Sequence, residues 1–138
     1  MKIYFDGGCQ PNPGRMESAV VARGQIYHCP DLGHGSNDQA EWLALLHAVD
    51  VALMLGEKDV TLLGDSALII RQASGRNTKP TALIRPYHAA FVDRAAAFTR
   101  LRIRQIGRAQ NLAGIALEKT IHGVAARQSI IVQSPPKV

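Results

Sequence analysis

The sequence predicts a single α/β domain built on a five-stranded mixed sheet flanked by helices, and three observations carry that expectation. Its 138 residues, 46% of them hydrophobic, suffice for one core and fall short of two ordinary domains. Short apolar or alternating runs bounded by Gly, Pro and Asn are interleaved, from residue 38 onward, with longer stretches of helical period. The resulting order, three strands, helix, strand, two helices, strand, helix, implies an antiparallel N-terminal meander followed by crossover units with parallel strands.

Met1 to Asp6 alternates Lys2, Tyr4 and Asp6 against Ile3 and Phe5, as a half-buried strand does. Gly7-Gly8 and Pro11-Asn12-Pro13-Gly14 then predict a turn. Ser18 to His28 reads as two further strands with the bend near Gly24. From Asp38 to Leu55 the period becomes helical, with Trp42, Leu45, Leu46, Val49 and Leu53 in one stripe and apolar flanks beside it, so this helix must be largely buried. Gly56 ends it. Asp59 to Asp65 is an apolar strand closed by a carboxylate, and a short helix follows from Ser66 to about Ala73 before the turn residues Gly75 and Asn77. A third helix starts near Ala82 to Pro86, where proline is tolerated in a first turn, and runs to about Phe98. Leu101 to Ile106 is a strand with Arg102 and Arg104 on one face, and Asn111 is the expected N-cap of the last helix. The domain is expected to span residues 1–127, with 128–138 a partly flexible tail.

Composition narrows the function. The N-terminus is charged at Lys2 and Asp6, and the longest apolar stretch, Leu43 to Leu55, is broken by His47 and Asp50, so neither a signal region nor a membrane span is expected and the cytoplasm is the expected compartment. Cys9 and Cys29 lack zinc-site spacing and read as two reduced thiols. No protein partner is evident, and a monomer is expected. Charge is unevenly distributed: residues 1–70 carry four Lys or Arg against nine carboxylates, residues 71–138 twelve against two. An acidic site beside a basic surface suits a metal-dependent enzyme acting on a polyanion, although a basic surface also serves solubility alone.

Asp6 and Asp65 each close an apolar strand just before a turn or helix, where α/β sheets place their sites. Glu41 falls in the first turn of the most apolar helix, where a carboxylate is best tolerated if a helix N-terminus or a cation neutralises it. Taken singly, each reads as readily as a cap. Converging, the three would repel one another unless a divalent ion were bound.

Three segments carry a family pattern: Phe5-Asp6-Gly7-Gly8-Cys9-Gln10-Pro11-Asn12-Pro13-Gly14, Ser36-Asn37-Asp38-Gln39-Ala40-Glu41-Trp42, and Gly64-Asp65-Ser66-Ala67-Leu68-Ile69-Ile70-Arg71-Gln72. In order and spacing they resemble the motifs of type 1 ribonuclease H, and Arg108 with Asn111 is similar to the family's lead into its last helix. The resemblance implies the ribonuclease H-like fold and two Mg²⁺ ions, for which Mn²⁺ can substitute. It also implies cleavage of the RNA strand of RNA–DNA hybrids to 3′-hydroxyl and 5′-phosphate ends. It makes Asp6, Glu41 and Asp65 the catalytic metal ligands, with Asp6 bridging both ions. It places Gly7, Gly8, Cys9, Asn12, Asn37 and Gln72 among the substrate contacts, where a 2′-hydroxyl distinguishes RNA.

The pattern breaks at the family's fourth carboxylate, expected four residues after the lead asparagine, where Ile115 stands; a one-residue shift puts Gly114 there instead. Glu118, one helical turn beyond Ile115, is the candidate substitute ligand. Asp38 replaces an expected asparagine, Arg15-Met16-Glu17 replaces a glycine-rich continuation, and no lysine-rich insertion separates the middle helices. The expected function is therefore a divalent-metal-dependent endoribonuclease of hybrids, of weakened activity. The alternatives are a hybrid- or RNA-binding module without turnover and a nuclease of the same superfold acting on another duplex.

Overall fold

The computed structural model describes residues 1–75, 79–123 and 129–138. Strands β1 (Lys2–Cys9), β2 (Gly14–Ala22) and β3 (Gln25–Cys29) form the antiparallel meander, and a two-residue strand β4 (His34–Gly35) pairs with β2. Helix α1 (Asn37–Met54), β5 (Asp59–Gly64), α2 (Ala67–Ala73), α3 (Arg85–Ala95) and β6 (Arg100–Gln105) follow. After a 3₁₀ turn at Arg108–Gln110, helix α4 (Leu112–Ile115) runs on as a π-helical segment, Ala116–Ile121, and β7 (Ile130–Val132) closes the order. The sheet reads β6-β5-β1-β2-β3-β7, with β1·β5, β5·β6 and β3·β7 parallel.

The α/β architecture and the mixed sheet are as expected, but among the described residues the sheet has seven strands rather than five. Two differences have physical causes. β1 does not stop at Asp6: Gly7, Gly8 and Cys9 stay paired with Ser18, Glu17 and Met16, so the turn falls at Gln10–Pro13. A strand keeps such glycines where another backbone comes close, and α1 does so here. The second difference is the tail. Its expected boundary at residue 127 lies outside the described residues, but Ile130–Val132 adds a parallel strand to the exposed edge of β3, and Gln133 N donates to His28 O. Beyond it, Gln133 to Lys137 lies along α1: Gln133 Oε1 is 2.7 Å from His47 Nε2, and the Lys137 carbonyl accepts from Arg94, which also binds Asp50.

Side-chain alternation divides the core between the two sheet faces. Ile3, Phe5, Val20, Val60 and Leu62 meet α1 through Trp42, Leu45, Leu46 and Val49, with Ile69 of α2 and Phe91 of α3 closing that layer. Each such side chain contributes roughly 1.5–3 kcal/mol on burial. Every residue from Ala40 to Val49 is buried, because the sheet, α3 and the tail together leave the middle of α1 no solvent face. On the other face, Ala19, Val21 and Ile26 carry Ala113, Ala116 and Leu117 of the last helical segment. Helix α1 begins one residue before Asp38, at a capping box in which Ser36 Oγ accepts from Gln39 N while Gln39 Oε1 accepts from Ser36 N. Asn111 caps α4 as expected, accepting from Ala113 N at 3.2 Å. Among the described residues no helix is long and apolar enough to cross a membrane.

Candidate active site

The parallel register of β1 and β5 pairs Ile3 with Leu62 and Tyr4 with Leu63. Carried two residues on, it sets Asp6, which lies inside β1 and not at its end, beside Asp65, the residue that follows β5. Glu41 reaches the same point from the first turn of α1, which lies so close to β1 that a β-carbon at Gly7 would collide with the Ala40 carbonyl oxygen. Glycine at position 7 is therefore required by helix packing, and its freed amide donates to Glu41 Oε1 at 2.5 Å. One carboxylate oxygen from each of Asp6, Glu41 and Asp65 lies within 4.8 Å of the other two.

Proximity perturbs their protonation. Glu41 is 8% exposed, and burial, then the negative charge of Asp6, pushes its carboxyl up to about 9 despite the Gly7 amide. Burial and the Asp65 carboxylate raise Asp6 to about 6, against the opposing pull of a hydrogen bond with Glu41 and the charge of Arg108. Without a cation the cluster thus retains a proton on Glu41 at neutral pH, the behaviour of carboxylates that cannot all ionise at such separations.

The cluster opens into a cleft of about 850 Å³ lined by residues that include Gly8, Gln10, Asn37, Ser66, Arg108, Ile115 and Glu118. Asn111, 0% exposed, ties the cleft floor together: its Nδ2 donates to Phe5 O at 3.1 Å and to Asp65 Oδ2 at 2.9 Å. Sequence reasoning found Asn111 as a cap and missed this second role, which depends on contacts more than forty residues away. The proline-containing turn is fastened to α1 by a polar network. Asn37 Oδ1 accepts from Cys9 N at 3.0 Å, and Asn12 Oδ1 accepts from Asn37 N at 3.2 Å.

Of the expected substrate contacts, Gly7, Gly8, Cys9 and Asn37 line the cleft. Asn12 is exposed and does not line the cleft but bonds to Asn37 in the network, and Gln72 is buried, its Oε1 accepting from Trp42 Nε1 at 2.8 Å. On α4 Gly114 lies beside Asp6, where a β-carbon would stand 3.3 Å from Asp6 Oδ2; Ile115 lines the same cleft. Glu118 lines the same cleft but is exposed and is not part of the three-carboxylate convergence.

The sequence model of the reverse transcriptase-like family matches residues 4–120. A bifunctional protein of Mycobacterium tuberculosis is 29% identical over 147 positions, covering 99% of this chain. Ribonuclease HI of Halobacterium salinarum is 35% identical over 81 residues, covering 52% of it. The chain spans 39% of the length of each of these curated relatives. The crystal structure of ribonuclease H1 from Halobacterium salinarum superposes with a TM-score of 0.74 at 28% identity, over 84% of this chain and 92% of that one. The family match over residues 4–120 and the superposition on ribonuclease H1 agree with the fold, and the chain belongs to the type 1 ribonuclease H family.

Proposed function

We propose that this protein is a divalent-metal-dependent endonuclease that hydrolyses the RNA strand of RNA–DNA hybrids, leaving 3′-hydroxyl and 5′-phosphate ends. The observation that carries the reading is the meeting of Asp6, Glu41 and Asp65 within 4.8 Å at the mouth of a polar cleft. A buried glutamate pushed up to about 9 by burial and a neighbouring carboxylate is a poor structural device but a fitting ligand, because a cation would favour its ionised form. The donor set, all carboxylate oxygen, suits Mg²⁺ with Mn²⁺ as a substitute. Ions held there by Asp6, Glu41 and Asp65 would supply Lewis-acid stabilisation of the charge that develops on the phosphodiester oxygens.

The chain's own groups supply positioning. The Gly7 amide holds Glu41, and Asn111 holds Asp65. Arg108 presents a cation at the cleft. Gly8, where a β-carbon would meet nothing within 4 Å, leaves open backbone against which a sugar edge fits. Glu118 serves as the fourth acid in place of Ile115, since both line the same cleft one helical turn apart. The π-helical segment that begins at Ala116 carries Glu118, and such segments concentrate at functional sites.

Gly114 beside Asp6, and the membership of only three carboxylates in the cluster among the described residues, favour a second reading, a hybrid-binding module without turnover. Incubating an end-labelled hybrid with Mg²⁺ or Mn²⁺, with and without chelator, separates the two. Chelator-sensitive cleavage that Glu118→Gln weakens supports the nuclease and its substitute ligand. Tight hybrid binding without cleavage under either metal replaces the nuclease with the module.

A further inference from the structure

The face of the sheet that carries α4 is only half covered. The last helical segment packs on β1 and β2 and reaches Ile26 of β3. On β5 and β6 the alternation sends Leu101 and Ile103 into the opposite core, leaving Arg102 and Arg104 on the α4 side. Register places Lys2, Thr61 and Arg102 in one row across β1, β5 and β6, and Tyr4, Leu63 and Arg104 in the next. Rows on one face are ~6.6 Å apart along the strands, and one further row along β1 is Asp6. The basic strip therefore runs up to the acidic cleft.

Arg104 and Lys2 are exposed and Arg102 is half-buried. Among the described residues none of the three is ion-paired, although Arg23, Arg94, His28 and His122 all are. Arg100, by contrast, stands in register with Asp59 and is left out of the strip. The strip offers cations and no arrangement of paired donors and acceptors for reading bases, which suits a phosphate backbone irrespective of sequence. It is three strands wide, ~10 Å across, with α4 bounding one side, and so accommodates one backbone rather than a duplex.

We propose that Lys2, Arg102 and Arg104 form a track that binds the backbone of single-stranded nucleic acid extending from the substrate in the cleft. This rests on the reading of the cleft as a nuclease site, and the test lets the two fail separately. Fluorescence anisotropy compares a blunt hybrid, the same hybrid with a single-stranded RNA extension at either end, and the extension alone, on wild type and on the Arg102→Ala, Arg104→Ala double variant. The extension tightens wild-type binding, and the double variant loses that gain. Its slope of log Kobs against log salt for the extended hybrid falls by about 1.4, two single-strand phosphate contacts at about 0.7 each. Blunt-hybrid cleavage stays at the wild-type rate, and the Arg102→Lys, Arg104→Lys pair restores the gain. An extension that adds nothing, or a gain that survives in the double variant, overturns the track; self-association of that variant with unchanged binding assigns the arginines to edge protection instead. If wild type fails to cleave the blunt hybrid, the nuclease reading falls, and binding of the extension alone still decides the track.

Discussion

Replacing Glu41 by glutamine should stabilise the metal-free protein, an unusual outcome for a change at a buried polar site. Glu41 titrates near 9 in the folded protein against an ordinary 4.5. Between those values the folded state binds more protons than the unfolded state, so stability is fully present below about pH 4.5 and declines as pH rises toward 9. At pH 7 the accumulated cost is about 3 kcal/mol at 1.36 kcal/mol per pH unit. Glutamine carries no such cost, keeps an oxygen for the Gly7 amide, and places an amide donor against Asp6. Thermal denaturation in chelator at several pH values should therefore show the variant equal to wild type near pH 5. By pH 7 it should be more stable by up to about 3 kcal/mol, roughly 10 °C in Tm for a chain of this size. Added Mg²⁺ should narrow the gap by stabilising wild type more. A wild type as stable as the variant at pH 7 in chelator, or a difference that does not grow with pH, would refute the electrostatic reasoning.

Further outcomes follow from the same geometry. Gly7→Ala should displace the start of α1, because its β-carbon meets the Ala40 carbonyl; a loss of about 1–3 kcal/mol in urea unfolding, with cleavage abolished, checks this. Asn111→Ala removes the donor to Asp65 Oδ2 and the α4 cap, so stability should fall by about 2 kcal/mol; Asn111→Asp keeps the cap but loses the same donor and sets a second carboxylate against Asp65, so kcat should fall in both variants. Gln133→Ala leaves the buried His47 without its tail partner and should cost about 1–3 kcal/mol in thermal denaturation. Burial also lowers the His47 pKa from 6.5, so its contribution is present above that pH and is lost as pH falls below it; a His47→Gln variant should flatten the acid limb of the stability profile.

Much of this was legible in the residues because it is local. Asp65 was readable as the carboxylate that closes a strand and Asp6 as a carboxylate on the first strand, although that strand runs on to Cys9, and parallel pairing of the two strands brings them together. The helix start was readable too, for Ser36 and Gln39 have capping-box spacing, but the expected start at Asp38 falls one residue late. What could not be read is what depends on distant partners. The run Ile130–Val132 has strand-forming residues, yet it becomes a strand only because β3 presents an edge to it. Glycine at position 7 looked like a turn residue, whereas its cause is the passing backbone of Ala40. Gln72 sits in a motif with catalytic neighbours, but its side chain is taken up by Trp42. The place of Glu118 beside the cleft follows from helical spacing, while the nearness of Gly114 to Asp6 required coordinates.

The central claim is that Asp6, Glu41 and Asp65 hold divalent ions for phosphodiester hydrolysis, and cleavage of a labelled RNA–DNA hybrid by wild type and Asp6→Asn in Mg²⁺, with hybrid affinity measured on both, tests it most directly. The account predicts RNA-strand cleavage by wild type, at least a hundredfold less by Asp6→Asn, the ~10²-fold scale of losing one transition-state stabiliser, and hybrid binding by both. Equal cleavage by the two proteins, or cleavage of the DNA strand at the same rate, would contradict it.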